Sequence, residues 1–334
     1  MSKIKKTKKI RARKISKRSN VKSALAPLQK GDLIEIIAPG SAAPIEILEQ
    51  GVQTLKSWGY EVTYSPDLLK PEMYLANSDE YRFESFKKAM TNKESKAVWC
   101  LRGGYGSIRI LPQIEEMAVP KNKKLLIGFS DITSLHAVIN QKWKWPSLHA
   151  SLIDRLKLGK LTPENTAELQ ASLLNIEFSA LFKNLKPLNA AAKRNKKITS
   201  SVIGGNLVVL VSSIGTPSQI NTKDKIIFLE ETGERGYRVD RCLQQMKQAG
   251  LFDQAAAVVL GDFINGLESD GKDMVPDTLK NFFANLKIPT FSGVQAGHAE
   301  IQRPLFFNTR SVLTCGEAPQ MLIYSDYEIH KPRK

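Results

Sequence analysis

At 334 residues, with 42% hydrophobic and 25% charged side chains, the chain carries enough apolar material for a sizeable core and enough length for about two domains, which excludes a disordered protein and a single small module. The formal net charge of +16 is concentrated at one end: twelve Lys and Arg and no acid fall in residues 1–30, and +16 less these twelve leaves +4 for the rest of the chain. Three cysteines, Cys100, Cys242 and Cys315, fit neither a disulfide framework nor a zinc site, and no stretch approaches the ~18 apolar residues of a membrane span.

Residues 1–30 repel one another and have few apolar side chains, so they read as a basic disordered tail suited to nucleic acid or anionic lipid. The tail lacks the apolar run of about 7–15 residues that a secretory signal needs, so a Sec-type signal is not expected. With the unpaired cysteines this points to a reducing, cytoplasmic setting.

Leu33-Ile34-Glu35-Ile36-Ile37-Ala38 is an apolar run stopped by Pro39-Gly40, as expected of a buried strand meeting a turn. Ile45, Leu48, Val52, Leu55 and Trp58 recur at helical spacing up to Gly59, and a strand follows at 60–64, completing a β-α-β unit. The alternation continues with a helix over 79–90, a strand at 97–101, a helix after Gly106, a strand at 125–129 and a helix over 131–140. Such alternation implies a parallel sheet covered on both faces, with ligands at the carboxyl ends of its strands. The pattern weakens between 154 and 198, and the inter-domain connection is placed there. Beyond it come a helix at 206–213, a strand at 225–229, a helix at 237–249 and strands at 256–260, 289–292, 311–314 and 320–324. The expected organisation is an N-terminal α/β domain over 31–155, a linker over 156–198, a C-terminal domain over 199–328 and a short tail at 329–334.

Leu125-Leu126-Ile127-Gly128-Phe129-Ser130-Asp131 runs from an apolar strand through a Gly into a Ser that opens a helix. Such a sharp turn lifts a serine Oγ clear of the sheet and aims the next N–H, that of Asp131, at a developing oxyanion. Ile132 stands where the nucleophile-elbow pattern has its second Gly, and Ser130 could equally cap its helix. In Arg102-Gly103-Gly104-Tyr105-Gly106-Ser107 the glycines allow close backbone approach, and Gly103 or Gly104 could be a second oxyanion donor; a tight turn is the alternative. Of the four histidines, His136 and His149 lie among apolar residues and read as packing, His330 sits in the polar end, and His298 lies in a loop. Glu230-Glu231 ends a strand, so only one of the pair can face a given site, where it could orient an imidazole. Cys100, in mid-strand, reads as a buried apolar residue.

Together these segments resemble the LD-carboxypeptidase family of serine peptidases, which includes the microcin C immunity peptidases. The resemblance runs from about Gly31 to Tyr324. It rests on Ile37-Ala38-Pro39-Gly40-Ser41, Arg102-Gly103-Gly104-Tyr105-Gly106-Ser107, Gly128-Phe129-Ser130-Asp131-Ile132-Thr133 and Gly204-Gly205-Asn206-Leu207. Phe228-Leu229-Glu230-Glu231, Tyr237-Arg238-Val239-Asp240-Arg241, Val259-Leu260-Gly261-Asp262-Phe263 and Gly297-His298 continue it. The resemblance implies a Rossmann-like N-terminal α/β domain, a β-rich C-terminal α/β domain, usually a homodimer, and no cofactor. It matches Ser130 to the nucleophile, Glu230 to the triad carboxylate and His298 to the base. The implied reaction is release of the terminal D-Ala from muropeptide tetrapeptides during wall recycling. Arg102 is the candidate grip for the free carboxylate. Where the family commonly has His-Gly-Pro, this chain has His149-Ala150-Ser151. The competing expectations are an immunity-type peptidase acting on an aminoacyl-nucleotide conjugate, and a binding protein tethered by its tail, which leaves the Ser, Glu and His motifs unexplained.

Overall fold

The computed structural model describes residues 25–156 and 161–327, so most of the basic tail, and His330 with the polar end, lie outside the described residues. The tail reading ends too late. Leu25 and Leu28 are buried, and the Leu28 N–H donates to the Leu173 carbonyl at 2.7 Å, so residues 25–30 belong to the packed body. Two leucines on the core outweigh the basic composition of their neighbours.

The first half is built as expected from β1 (Leu33–Ile37), α1 (Ile45–Ser57), β2 (Glu61–Tyr64), α2 (Asp79–Thr91), β3 (Ser95–Cys100), α3 (Leu111–Glu116), β4 (Leu125–Gly128) and α4 (Thr133–Val138), and adds a short strand that the sequence did not announce, β5 (Ser147–His149). Ser78 caps α2 by accepting the Tyr81 N–H, which accounts for its sharp start. The helix expected over 131–140 is composite: a 3-10 turn at Ser130–Ile132, α4, then a π-helical turn at Ile139–Trp143. Strands β1 to β5 pair in parallel in the order β2-β1-β3-β4-β5. The order reverses at β1, and the crevice beside that reversal is where open α/β sheets bind ligands.

The connection expected over 156–198 is not a bare linker. It holds α5 (Pro163–Leu174), β6 (Ser179–Phe182), β7 (Lys186–Pro187) and the start of β8 (Lys197–Ser200). Its strands are too short for a periodic signal, and the buried face of α5 mixes Asn165 and Ser172 with Leu169 and Leu173, which masks its amphipathic stripe.

The second half continues with β9 (Val202–Asn206), α6 (Leu207–Ser212), β10 (Ile226–Thr232), α7 (Gly236–Gln248), β11 (Ala257–Ile264), α8 (Val275–Ala284), β12 (Thr290–Ser292), β13 (Leu305–Phe307), β14 (Ser311–Thr314) and β15 (Gln320–Tyr324). Strands β9 to β12 form a parallel sheet edged by antiparallel β7, and β6, β15, β14 and β8 form an antiparallel sheet, giving the β-rich character expected. The halves interlock, because β13 crosses back to pair antiparallel with β5 as the edge of the first sheet, burying Phe306 and Phe307 completely. A boundary placed between 155 and 199 therefore divides the chain but not the sheets.

Strand β9 passes through Gly204 and Gly205, both at positive φ. A Cβ on Gly204 would meet the Phe228 carbonyl at 2.0 Å and one on Gly205 the Thr133 Oγ1 at 2.3 Å, so only glycine lets β9 wedge between β10 and the helix after Ser130. Among the described residues, no helix is long and apolar enough to cross a membrane.

Candidate active site

Ser130 follows β4 with φ +64°, a left-handed conformation that costs a non-glycine residue roughly 1–2 kcal/mol. The turn is held from the next residue: the buried Asp131 carboxylate accepts the Ser107 N–H at 2.9 Å. Burial pushes that carboxyl up, and its hydrogen bonds from Ser107 oppose the rise.

His298 arrives from the loop between β12 and β13. Its Nε2 lies 3.1 Å from Ser130 Oγ, and its Nδ1 lies 2.6 Å from Glu230 Oε2. A carboxylate can only accept, so Nδ1 carries the proton and, in the neutral ring, Nε2 is left free to accept from the serine hydroxyl. Glu230, on β10, is fully buried. As strand alternation requires, Glu231 turns the other way, accepting Asn206 Nδ2 and the Val208 N–H, each at 2.9 Å. The three residues singled out in the sequence thus form one hydrogen-bonded chain.

The glycine loop after β3 closes the other side. A Cβ built on Gly103 would lie 3.1 Å from Ser130 Oγ and 3.5 Å from the Asp131 nitrogen, whereas one on Gly104 would meet Ser41 Oγ at 2.3 Å. Gly103 therefore faces the serine and Gly104 faces the loop after β1. Arg102 is exposed; its Nη1 donates to the Ala42 carbonyl at 3.0 Å and its Nε lies 3.9 Å from Asp154 Oδ2.

His136, His149 and Cys100 are not part of this hydrogen-bonded chain. His136 is fully buried between Ser147 Oγ at 2.8 Å and the Gly128 carbonyl at 2.9 Å, and burial pushes it down to about 4. His149 packs among Phe129, Phe228 and Phe307, and burial holds it well below the usual histidine range. Cys100 is buried in β3, which pushes its thiol well up and disfavours the thiolate.

Two residues near the histidine had no role assigned from the sequence. Arg155 donates to the His298 carbonyl at 2.9 Å, and its guanidinium lies 5.1 Å from the Phe129 ring centre. It sits where the sequence shows no periodic pattern, so no local signal marks it. Asp262 was visible in Gly261-Asp262-Phe263, and its Oδ2 accepts the Ala299 N–H at 3.4 Å.

Burial pushes the Asp262 carboxyl from 3.8 up to about 6, with the Ala299 N–H opposing and the neighbouring Glu230 reinforcing. An acid whose folded value lies above its unfolded one contributes stability that is complete below the unfolded value and lost as pH rises through the folded one. Asp262→Asn is therefore expected to melt above the parent at pH 8, with the gap closing toward pH 4. Thermal unfolding across that range checks it, and a gap independent of pH would refute this origin.

Comparison with known proteins agrees with this architecture. The LD-carboxypeptidase N-terminal domain matches residues 34–150 and the LD-carboxypeptidase C-terminal domain matches residues 199–313. A putative carboxypeptidase of Rickettsia conorii is 36% identical, with 83% of this chain and 86% of that protein covered. A probable murein peptide carboxypeptidase of Bacillus subtilis is 30% identical over 81% of this chain and 85% of its own length. The crystal structure of a muramoyltetrapeptide carboxypeptidase from Oxalobacter formigenes superposes with a TM-score of 0.77 at 30% identity, covering 87% of this chain and 98% of that one. With both family domains present in order around a Ser, His and Glu in mutual contact, the chain belongs to the LD-carboxypeptidase family and is a serine carboxypeptidase.

Proposed function

We propose that this enzyme releases the terminal D-Ala from murein tetrapeptides through a Ser130–His298–Glu230 triad. The observation that carries the proposal is the continuous relay from Glu230 Oε2 through both imidazole nitrogens to Ser130 Oγ, with spacings of 2.6 and 3.1 Å. The names of the Bacillus and Oxalobacter relatives supply the substrate class.

In this reading His298 Nε2 takes the Ser130 proton as Oγ attacks the carbonyl before the terminal D-residue, and Glu230 stabilises the imidazolium. The Asp131 N–H and a backbone N–H of Gly103 or Gly104 hold the oxyanion, and the approach of Gly103 to Ser130 supports that loop in the role. His298 then protonates the leaving amine, and water, deprotonated by the same imidazole, hydrolyses the acyl-enzyme. Arg102, exposed beside the glycine loop, receives the substrate's free carboxylate. The enzyme acts in the cytoplasm, as a homodimer, on peptides recovered from the wall.

Purified full-length protein given a tetrapeptide ending in a diamino acid and D-Ala should yield tripeptide and D-Ala in equal amounts. Cleavage of an aminoacyl-nucleotide conjugate without any D-Ala release would overturn the assignment in favour of the immunity-type reaction. Gly103→Ala should lower kcat by about 10²-fold, because a methyl group 3.0 Å from Ser130 Cβ displaces the nucleophile or the donor loop. Full activity in that variant would remove the loop from the oxyanion site.

A further inference from the structure

We propose that Ser151, Arg155, Asn165 and Glu168, between the two family domains, form a clasp that positions the catalytic base, with Arg155 as its central positioning residue. The inference rests on the triad reading and extends it. His298 lies in a stretch without secondary structure, on the half of the chain opposite Ser130, and is preceded by Gly297 at φ +133°. A ring so placed needs external restraint, since a displacement of about 1 Å can cost about 10²-fold in rate.

Beside the contacts of Glu230 and Asp262, restraint comes from four residues of the opposite side, Ser151, Arg155, Asn165 and Glu168. Arg155 donates through Nη2 to the His298 carbonyl at 2.9 Å and through Nη1 to Gln302 Oε1 at 3.4 Å. Ser151 Oγ donates to the same Gln302 oxygen at 2.6 Å. Asn165 Nδ2 donates to the Glu300 carbonyl at 3.0 Å, and Glu168 receives both Nη2 and Nε of Arg303, at 2.6 and 2.8 Å. Residues 298, 300, 302 and 303 are thus held from residues 151, 155, 165 and 168.

Arg155 also ties the base to the nucleophile's own turn. Its guanidinium lies over the ring of Phe129, the residue before Ser130, and that ring packs 4.7 Å from the His298 ring. A planar guanidinium can stack on an arene while donating in its own plane, which an ammonium cannot do. The four holding residues, Ser151, Arg155, Asn165 and Glu168, lie between the two family domains, which span 34–150 and 199–313, and the four they hold lie in the second. The holding side of the clasp is therefore read from residues that neither family domain includes.

The test compares Arg155→Ala, Arg155→Lys and Asn165→Ala with the parent in tetrapeptide turnover and in the rate at which a fluorophosphonate labels Ser130. Arg155→Ala should lose about 10- to 100-fold in kcat with KM within about twofold, and labelling should slow by the same factor. Arg155→Lys should recover part of the loss through one hydrogen bond to the His298 carbonyl, and millimolar guanidinium should partly restore Arg155→Ala. Asn165→Ala should show the same pattern at smaller amplitude, and it carries the test with Arg155→Lys if Arg155→Ala does not fold. Unchanged kcat and labelling would overturn the clasp, as would a rise in KM alone, which would make Arg155 a substrate ligand. Failure of the parent to label at all would instead overturn the triad reading, so the two failures are distinguishable.

Discussion

Ser130→Ala is expected to lower D-Ala release by at least about 10⁴-fold in kcat while the protein remains folded. The hydroxyl is the only group at that position able to form the acyl-enzyme, and water would have to replace it without the geometry that places Oγ 3.1 Å from Nε2. The backbone supplies a second, independent readout. Ser130 sits at φ +64°, and alanine inherits that strain whereas glycine does not. Ser130→Gly should therefore be as inactive as Ser130→Ala yet more stable than it by about 1 kcal/mol, as read by urea unfolding. Release persisting in Ser130→Ala would remove the serine from the mechanism. A glycine variant clearly less stable than the alanine one would show that the turn is not strained.

How far the sequence announced this arrangement depends on length of pattern. The parallel sheet of the first half was legible because each strand and helix is long enough to show its period, as in Leu33–Ile37 and Ile45–Ser57. The three-residue strands Ser147–His149 and Leu305–Phe307 were not, since three residues show no period and the pairing of the two joins positions more than 150 apart. Strand β9 was hidden for another reason: its two glycines read locally as a break and are explained only by contact with Phe228 and Thr133. At the site, Ser130 was suggested by the strand-to-helix turn around it. Glu230 and His298 had no local signal stronger than a strand end and a loop, and were assigned through family resemblance. Arg155 had neither, because its meaning lies wholly in what it touches across the fold.

Glu230→Gln is expected to lower kcat by about 10³- to 10⁴-fold near neutral pH with little change in KM. The carboxylate fixes the proton on Nδ1 and so leaves Nε2 able to accept from Ser130. An amide can present its NH₂ to Nδ1 instead, which moves the ring proton to Nε2 and blocks the serine, and in either orientation it offers no charge to the imidazolium. The loss should come without loss of stability, because Glu230 is fully buried and its Oε1 has no hydrogen-bond partner. A neutral isostere relieves that burden, so Glu230→Gln should melt no lower than the parent at pH 8. The same substitution reaches Asp262, whose carboxyl is raised first by burial and further by the Glu230 charge. With that charge removed, the folded-state value of Asp262 should fall back toward the ordinary range, and Asp262→Asn should stabilise the Glu230→Gln protein less than it stabilises the parent. A double-mutant cycle of melting temperatures at pH 8 measures this coupling. Strict additivity would mean that the two carboxylates do not share one field behind the imidazole, and more than a tenth of parental activity in Glu230→Gln would mean that the carboxylate does not orient the base.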